Sequence, residues 1–195
     1  MKPRCLLPAL ALACGAVLRA GGDVPLVRFV LTVARPSPTA EPAPPEHLAP
    51  AQLSAALLAE TNRVRAEHGL RPLKPLAALA AAADDQAAFM ALSYSLRHDC
   101  PVSGQRDAVE RVQRHGLMPS TVAENVLFTG FAPLAEPAPS CAELAAGMVA
   151  QWMSSPGHRA NILNPALTHG GCSARRATFI GGTVGYYSAQ VFATP

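Results

Sequence analysis

The chain has 195 residues, half of them apolar and only 15% charged, with a net charge of +3. That length and composition predict one globular domain with a core of its own and exclude a disordered chain. Lys2, Arg4 and Arg19 account for the excess charge and leave 13 basic against 13 acidic residues, which excludes a basic nucleic-acid footprint.

Lys2 and Arg4 precede an apolar run from Leu6 to Val17 that ends in small residues. This is the pattern of a secretory leader, residues 1–20, cleaved near Ala20. The run is too short to span a bilayer. Cys14 follows Leu12-Ala13, faintly like a lipoprotein box, but the leucine does not stand three residues before the cysteine. Simple secretion is therefore the preferred reading, and a membrane enters only if Cys14 is lipidated. Residues 21–50 read as a tether. Val27 to Val33 is β-prone, and prolines at 36, 38, 42, 44, 45 and 50 favour extended backbone that cannot build a core.

The domain is expected over 51–195. Leu53, Leu57 and Val64 share one face of a first helix, which Gly69 stops with Leu70 behind it. A second helix is predicted from Pro75 to about Leu96, burying Leu76, Leu79, Ala83, Ala87, Met90 and Tyr94 and turning Asp84, Asp85 and Gln86 outward. A third runs from Gln105 to His115, with Val109 and Val112 inward and Gly116-Leu117 as its stop. Thr121 to Phe128 reads as a strand. After a loop with prolines at 133, 137 and 139, Ser140 and Glu143 form a capping box, and Leu144, Met148 and Trp152 align along the helix it starts. Ser155-Pro156 then opens a short helix carrying His158, with Ser155 as N-cap, and Asn164-Pro165 ends it. Gly170 to Ile180 and Thr183 to Phe192 read as strands joined through Gly181-Gly182. The sum is an α+β fold: helices on both faces of a small, mainly antiparallel sheet.

Export permits disulfides. With Cys5 and Cys14 in the leader, Cys100, Cys141 and Cys172 remain, so at most one bridge and one leftover thiol are expected, the pair being open. Enzyme motifs are missing: there is no Gly-x-Ser-x-Gly, no His-Glu-x-x-His and no Walker loop. Ser154 and Ser155 lie near His158, but an N-cap explains Ser155 better than a nucleophile does. Cys100 near His98 is read as a disulfide partner or inert thiol. His47, His68, His115 and His169 are read as solvated. Tyr186, Ser188, Gln190 and Phe192 share one face of the last strand, either lining a cleft or, as preferred, packing in the sheet.

Several segments in order carry a resemblance. Trp152 with Ser155-Pro-Gly-His-Arg-x-Asn-Ile-Leu163 resembles the signature of the CAP family, which holds cysteine-rich secretory proteins, insect antigen 5, plant pathogenesis-related proteins and bacterial members. Asn62-Arg63, Gly69 to Leu73, His98, Ala123-Glu124-Asn125 and Tyr186 to Phe192 follow the family's order, from about Leu53 to the C-terminus. The resemblance implies a three-layer α–β–α sandwich. It also implies a cleft with two histidines and two acids able to hold a divalent metal. Carried over by motif, the metal ligands are His98, Glu124 and His158; the second acid is absent, since Met153-Ser154-Ser155 stands in its place. Three such ligands can hold zinc with an open fourth position, but a general base for a metal-bound water is missing. The expected function is therefore a secreted binding module for an apolar small molecule, a cell-envelope component or a protein partner. The alternatives are a metal-dependent hydrolase at the same site and an extracellular scaffold with a structural triad.

Overall fold

The computed structural model describes residues 10–15, 28–31, 49–131, 139–180 and 183–195. In chain order these form strand β1 (Leu10–Gly15), β2 (Arg28–Leu31), helix α1 (Pro50–Glu67), β3 (Lys74–Pro75), α2 (Ala77–Ser93) and α3 (Ala108–Arg114). Then come β4 (Thr121–Phe131), α4 (Cys141–Ser154), α5 (Pro156–Ile162), β5 (His169–Thr178) and β6 (Val184–Thr194). The sheet order is β2-β1-β4-β6-β5-β3, antiparallel throughout except for β3 beside β5.

Alternation along β4 and β6 sorts side chains into two cores. Leu127, Tyr186 and Phe192 face α1 and α4, together with Leu53, Leu57, Met148 and Trp152. Val126, Tyr187, Ala189 and Val191 face the opposite way, onto Leu79, Ala83 and Met90 of α2 and Val112 of α3. The result is the α–β–α sandwich, with α1, α4 and α5 on one side and α2 and α3 on the other. Leu144, Met148 and Trp152 are buried in a single row, and the Ser140–Glu143 capping box is complete in both directions. Gly69 and Gly116 adopt positive φ, and Leu70 and Leu117 donate back to Arg65 and Val112 to close α1 and α3.

Several expectations shift. Pro50 belongs to α1 as its first residue rather than to the tether, where its missing N–H costs nothing. Pro75 sits in β3, and α2 starts at Ala77. That helix is rich in alanine on every side, so the sequence offers little contrast between its faces. Gln86, expected outside, is buried with its amide donating to the Arg97 carbonyl, whereas Tyr94 is exposed in the left-handed region at φ 52°. The third helix is shorter than predicted, starting behind an Asp107 N-cap, and it buries Ala108 and Arg111 while Val109 stays exposed. Leu10–Gly15, inside the stretch read as a leader, pairs antiparallel with β4. The β-prone run supplies β2. His47, the proline-rich loop at 132–138 and the Gly181-Gly182 turn lie outside the described residues.

Cys100, Cys141 and Cys172 are all free thiols, so no bridge joins any two of them, within the expected limit of at most one. Cys172 stands opposite Gln190 on β5, and Cys141 is the first residue of α4. Cys100 sits in the connection between α2 and α3. Burial pushes the Cys172 thiol up to about 12, so it is inert as a nucleophile at neutral pH.

Candidate functional site

The site forms where β4 passes between the two helical layers. Glu124 and Asn125 are neighbours on β4 and therefore point to opposite faces of the sheet. Glu124 is 2% exposed and reaches the α2–α3 side. Its Oε1 lies 2.9 Å from His98 Nδ1, and its Oε2 accepts from Arg111 Nη2 at 2.6 Å. Because a carboxylate only accepts, His98 carries its Nδ1 proton toward Glu124.

Arg111 is fully buried, and its guanidinium fork also donates to the backbone carbonyls of Gln105 (2.8 Å) and His98 (3.2 Å). The Asp107 N-cap fixes the start of the helix that carries it, accepting from the Glu110 amide at 2.8 Å. The His98 connection is held in turn by Gln86 of α2, through the Arg97 carbonyl, and by Arg111. Removing either partner of so deeply buried an ion pair strands a charge, at about 3–5 kcal/mol.

On the other face, Asn125 starts a buried amide chain. Its Nδ2 donates to Gln190 Oε1 (3.0 Å) and to the His158 carbonyl (3.2 Å), and its Oδ1 accepts from Asn161 Nδ2 (2.9 Å). Gln190 Nε2 donates to Thr61 Oγ1 at 2.7 Å, and Thr61 donates to the Leu57 carbonyl. Thr61, Asn125, Gln190 and His158 are all fully buried. This chain ties α1, β6, β4 and α5 together. A second tie is Arg65, 1% exposed, whose guanidinium donates to the carbonyls of Arg71, Ile162, Asn164 and Leu167. Burial lowers its pKa, yet an arginine stays charged. Four neutral carbonyls, rather than an acid, solvate it.

His98 and Glu124 thus meet as the sequence suggests. His158 is held at the start of α5, and its hydrogen bond to Asn125 runs through its backbone carbonyl. Among the described residues, no group of three or more His, Cys, Asp or Glu side chains is placed to hold a metal ion. Both Glu124 oxygens are engaged, one of them by a cation, so the donor set as arranged does not fit a divalent metal. Ser155 occupies the N-cap position of α5, but its side chain makes no capping bond. The Ser154 hydroxyl donates to the Gln151 carbonyl at 2.7 Å.

Three residues of this site were not singled out by sequence reasoning: Arg111, Thr61 and Arg65; Asn161 stood only within the Pro-Gly-His-Arg-x-Asn motif. The only signal for Arg111 and Arg65 was their position among the apolar residues of a helix stripe. Nor are His68, His115 and His169 merely solvated. His68 Nδ1 lies 2.9 Å from the Val64 carbonyl, His115 Nε2 2.8 Å from Asp85 Oδ2, and His169 Nδ1 2.9 Å from Thr168 Oγ1. The partly polar face of β6 packs against the helices: Ser188 donates to Met148 Sδ at 3.4 Å, and Gln190 joins the amide chain.

A model of the cysteine-rich secretory protein family, CAP, matches residues 58–192. Comparison with curated proteins finds no match. Among solved structures, the fold is similar to that of an extracellular protein containing an SCP domain from Bacillus anthracis str. Ames. The identity is 20% and the TM-score 0.56, over 87% of this chain and 47% of that one. The chain therefore spans about half the length of that relative. It is also similar to an outer surface protein from Borrelia burgdorferi, at 15% identity and a TM-score of 0.52, over 72% of this chain and 90% of that one.

Proposed function

The chain belongs to the cysteine-rich secretory protein family, and on that premise we propose that it is an exported binding module for an apolar small molecule rather than an enzyme. The observation that carries this reading is the closure of the His98–Glu124–Arg111 cluster. Its carboxylate is committed to a histidine and an arginine, so Glu124 is not itself available as a base to activate water. A hydrolase at the same residues would need such a base or a bound metal.

What the surface offers instead is a groove of about 240 Å³ between the N-terminal half of α1 and the first turn of α2, floored by β5. Its lining includes Ala55, Leu58, Leu76, Ala80, Gly171 and Cys172. These apolar walls suit a segment of an acyl chain, which binds by loss of apolar surface to water. Export is supported by the Lys2/Arg4 leader pattern and by two similar structures described as an extracellular and an outer surface protein. Among the described residues, no helix is long and apolar enough to cross a membrane.

A fluorescent fatty-acid probe titrated into the purified protein tests the reading. Ala55 is exposed on the groove wall, so Ala55→Trp fills the groove without entering the core. Saturable binding that weakens tenfold or more in Ala55→Trp is expected. Absent or unchanged binding would leave the scaffold reading in its place.

A further inference from the structure

We propose that Arg111 is the resident cation of this site, doing for Glu124 what a bound divalent metal would otherwise do, so that the His98–Glu124 pair is built to work without metal. Three observations carry it. The Arg111 and Glu124 side chains are 0% and 1% exposed and meet at 2.6 Å, so the carboxylate's charge is matched inside the protein. The same guanidinium nitrogen donates to the His98 carbonyl, and its neighbour donates to the Gln105 carbonyl, so the cation is held in a preformed cradle rather than as a loose surface pair. Finally, Met153-Ser154-Ser155 supplies no second acid, so the site carries one negative charge and one resident positive charge.

A single carboxylate already neutralised by a buried guanidinium offers a dication no net attraction, and ligation would require Arg111 to leave its three partners without water to receive it. A planar fork reaches two carbonyls and a carboxylate at once, which explains arginine rather than lysine at this position. The pair also fixes His98: with Glu124 oriented by Arg111, the imidazole receives a constant acceptor at Nδ1. Arg111 is accordingly a positioning residue for the histidine.

Two measurements on the full chain decide the matter. Zinc chloride titrated into metal-free protein, followed by calorimetry and by melting temperature, should give no binding that depends on His98. Stoichiometric zinc binding by wild type that His98→Ala abolishes overturns the proposal. The second compares Arg111→Met, Glu124→Gln and the double variant. Arg111→Met strands a buried carboxylate, so its melting temperature should fall furthest, and Arg111→Met/Glu124→Gln should recover part of the loss. A double variant melting no higher than Arg111→Met overturns the charge-matching role, and failure of Arg111→Met to fold while the double variant folds supports it.

Discussion

Gly171 on β5 lies directly beneath the first turn of α2, and its replacement by alanine is the sharpest test of how the layers fit. A Cβ built there would lie 2.1 Å from the Ala80 nitrogen, 2.4 Å from the Leu79 carbonyl carbon and 2.6 Å from the Ala80 Cα. These are backbone atoms of a helix, so no rotamer change relieves the overlap; α2 must lift by more than 1 Å to restore contacts of about 3.5 Å. Overpacking that side chains can absorb costs about 1–3 kcal/mol. With backbone as the obstacle, Gly171→Ala should cost about 3 kcal/mol, a fall of about 1.5 M in the urea midpoint for a slope of about 2 kcal/mol/M. Gly147, within α4, is the control: nothing lies within 4 Å of its virtual Cβ. Gly147→Ala should raise stability by about 1 kcal/mol, because alanine has the better helix propensity. The lifted α2 also carries Gln86 and the Arg97–His98 connection, so the His98 ring signals of Gly171→Ala should shift in NMR spectra. An unchanged urea midpoint for Gly171→Ala would refute the tight α2–β5 packing.

Arg65→Met, which leaves four buried carbonyls without their donor, should cost about 3 kcal/mol in urea unfolding, and Arg65→Lys should recover less than half, because an ammonium lacks the fork; full recovery by lysine would refute that geometry. Ser140→Ala removes one half of the capping box and should cost about 1 kcal/mol, read as a lower denaturant midpoint with an unchanged slope. The Arg175 guanidinium, then the Ser173 hydroxyl, hold Asp84 below the usual carboxylate range. A depressed folded-state pKa means the pair stabilises above the unfolded value, about 3.9, and is lost as pH falls through the lower folded value. The melting-temperature gap between wild type and Asp84→Asn should therefore be widest near pH 7 and shrink steadily below about pH 4; a gap constant down to pH 2 would count against the ion pair.

Where side-chain contrast was strong, the sequence was legible. Leu144, Met148 and Trp152 stood out at helical spacing and are buried in one row, and Ser140 with Glu143 marked its helix start correctly. Along β6, strict alternation separated Tyr186 from Tyr187, and the two rings do lie in different cores. In α2, where most residues are alanine, contrast was weaker: Leu79, Ala83, Ala87 and Met90 are buried as read, whereas Gln86 is buried and Tyr94 exposed against the reading. At the site, His98 and Glu124 were found through motifs, and they touch. Arg111 and Arg65 were missed for a shared physical reason. Composition places an arginine in solvent unless its partners are known, and here the partners are backbone carbonyls and one glutamate, separated in sequence by up to 102 positions.

The Ala-Glu-Asn motif on β4 has two separable roles, and the pleat of the strand is what divides them. Glu124 serves the α2–α3 layer, where charge is matched between a carboxylate and a guanidinium. Asn125 serves the α1–α4–α5 layer, where neutral amides pass hydrogen bonds from Thr61 through Gln190 to Asn161 and the His158 carbonyl. The Asn161 amide links the two layers by donating to the Glu124 carbonyl at 3.3 Å, and it touches backbone rather than the carboxylate. Changes to the Glu124 carboxylate should therefore reach His98 and Arg111 while leaving the seat of α5 intact. Loss of the Asn125 amide should loosen α5 and His158 while His98 keeps its partner. His98 is thus anchored through the Glu124 carboxylate and His158 through its own backbone carbonyl, two anchors supplied by neighbouring residues of one strand that face opposite ways.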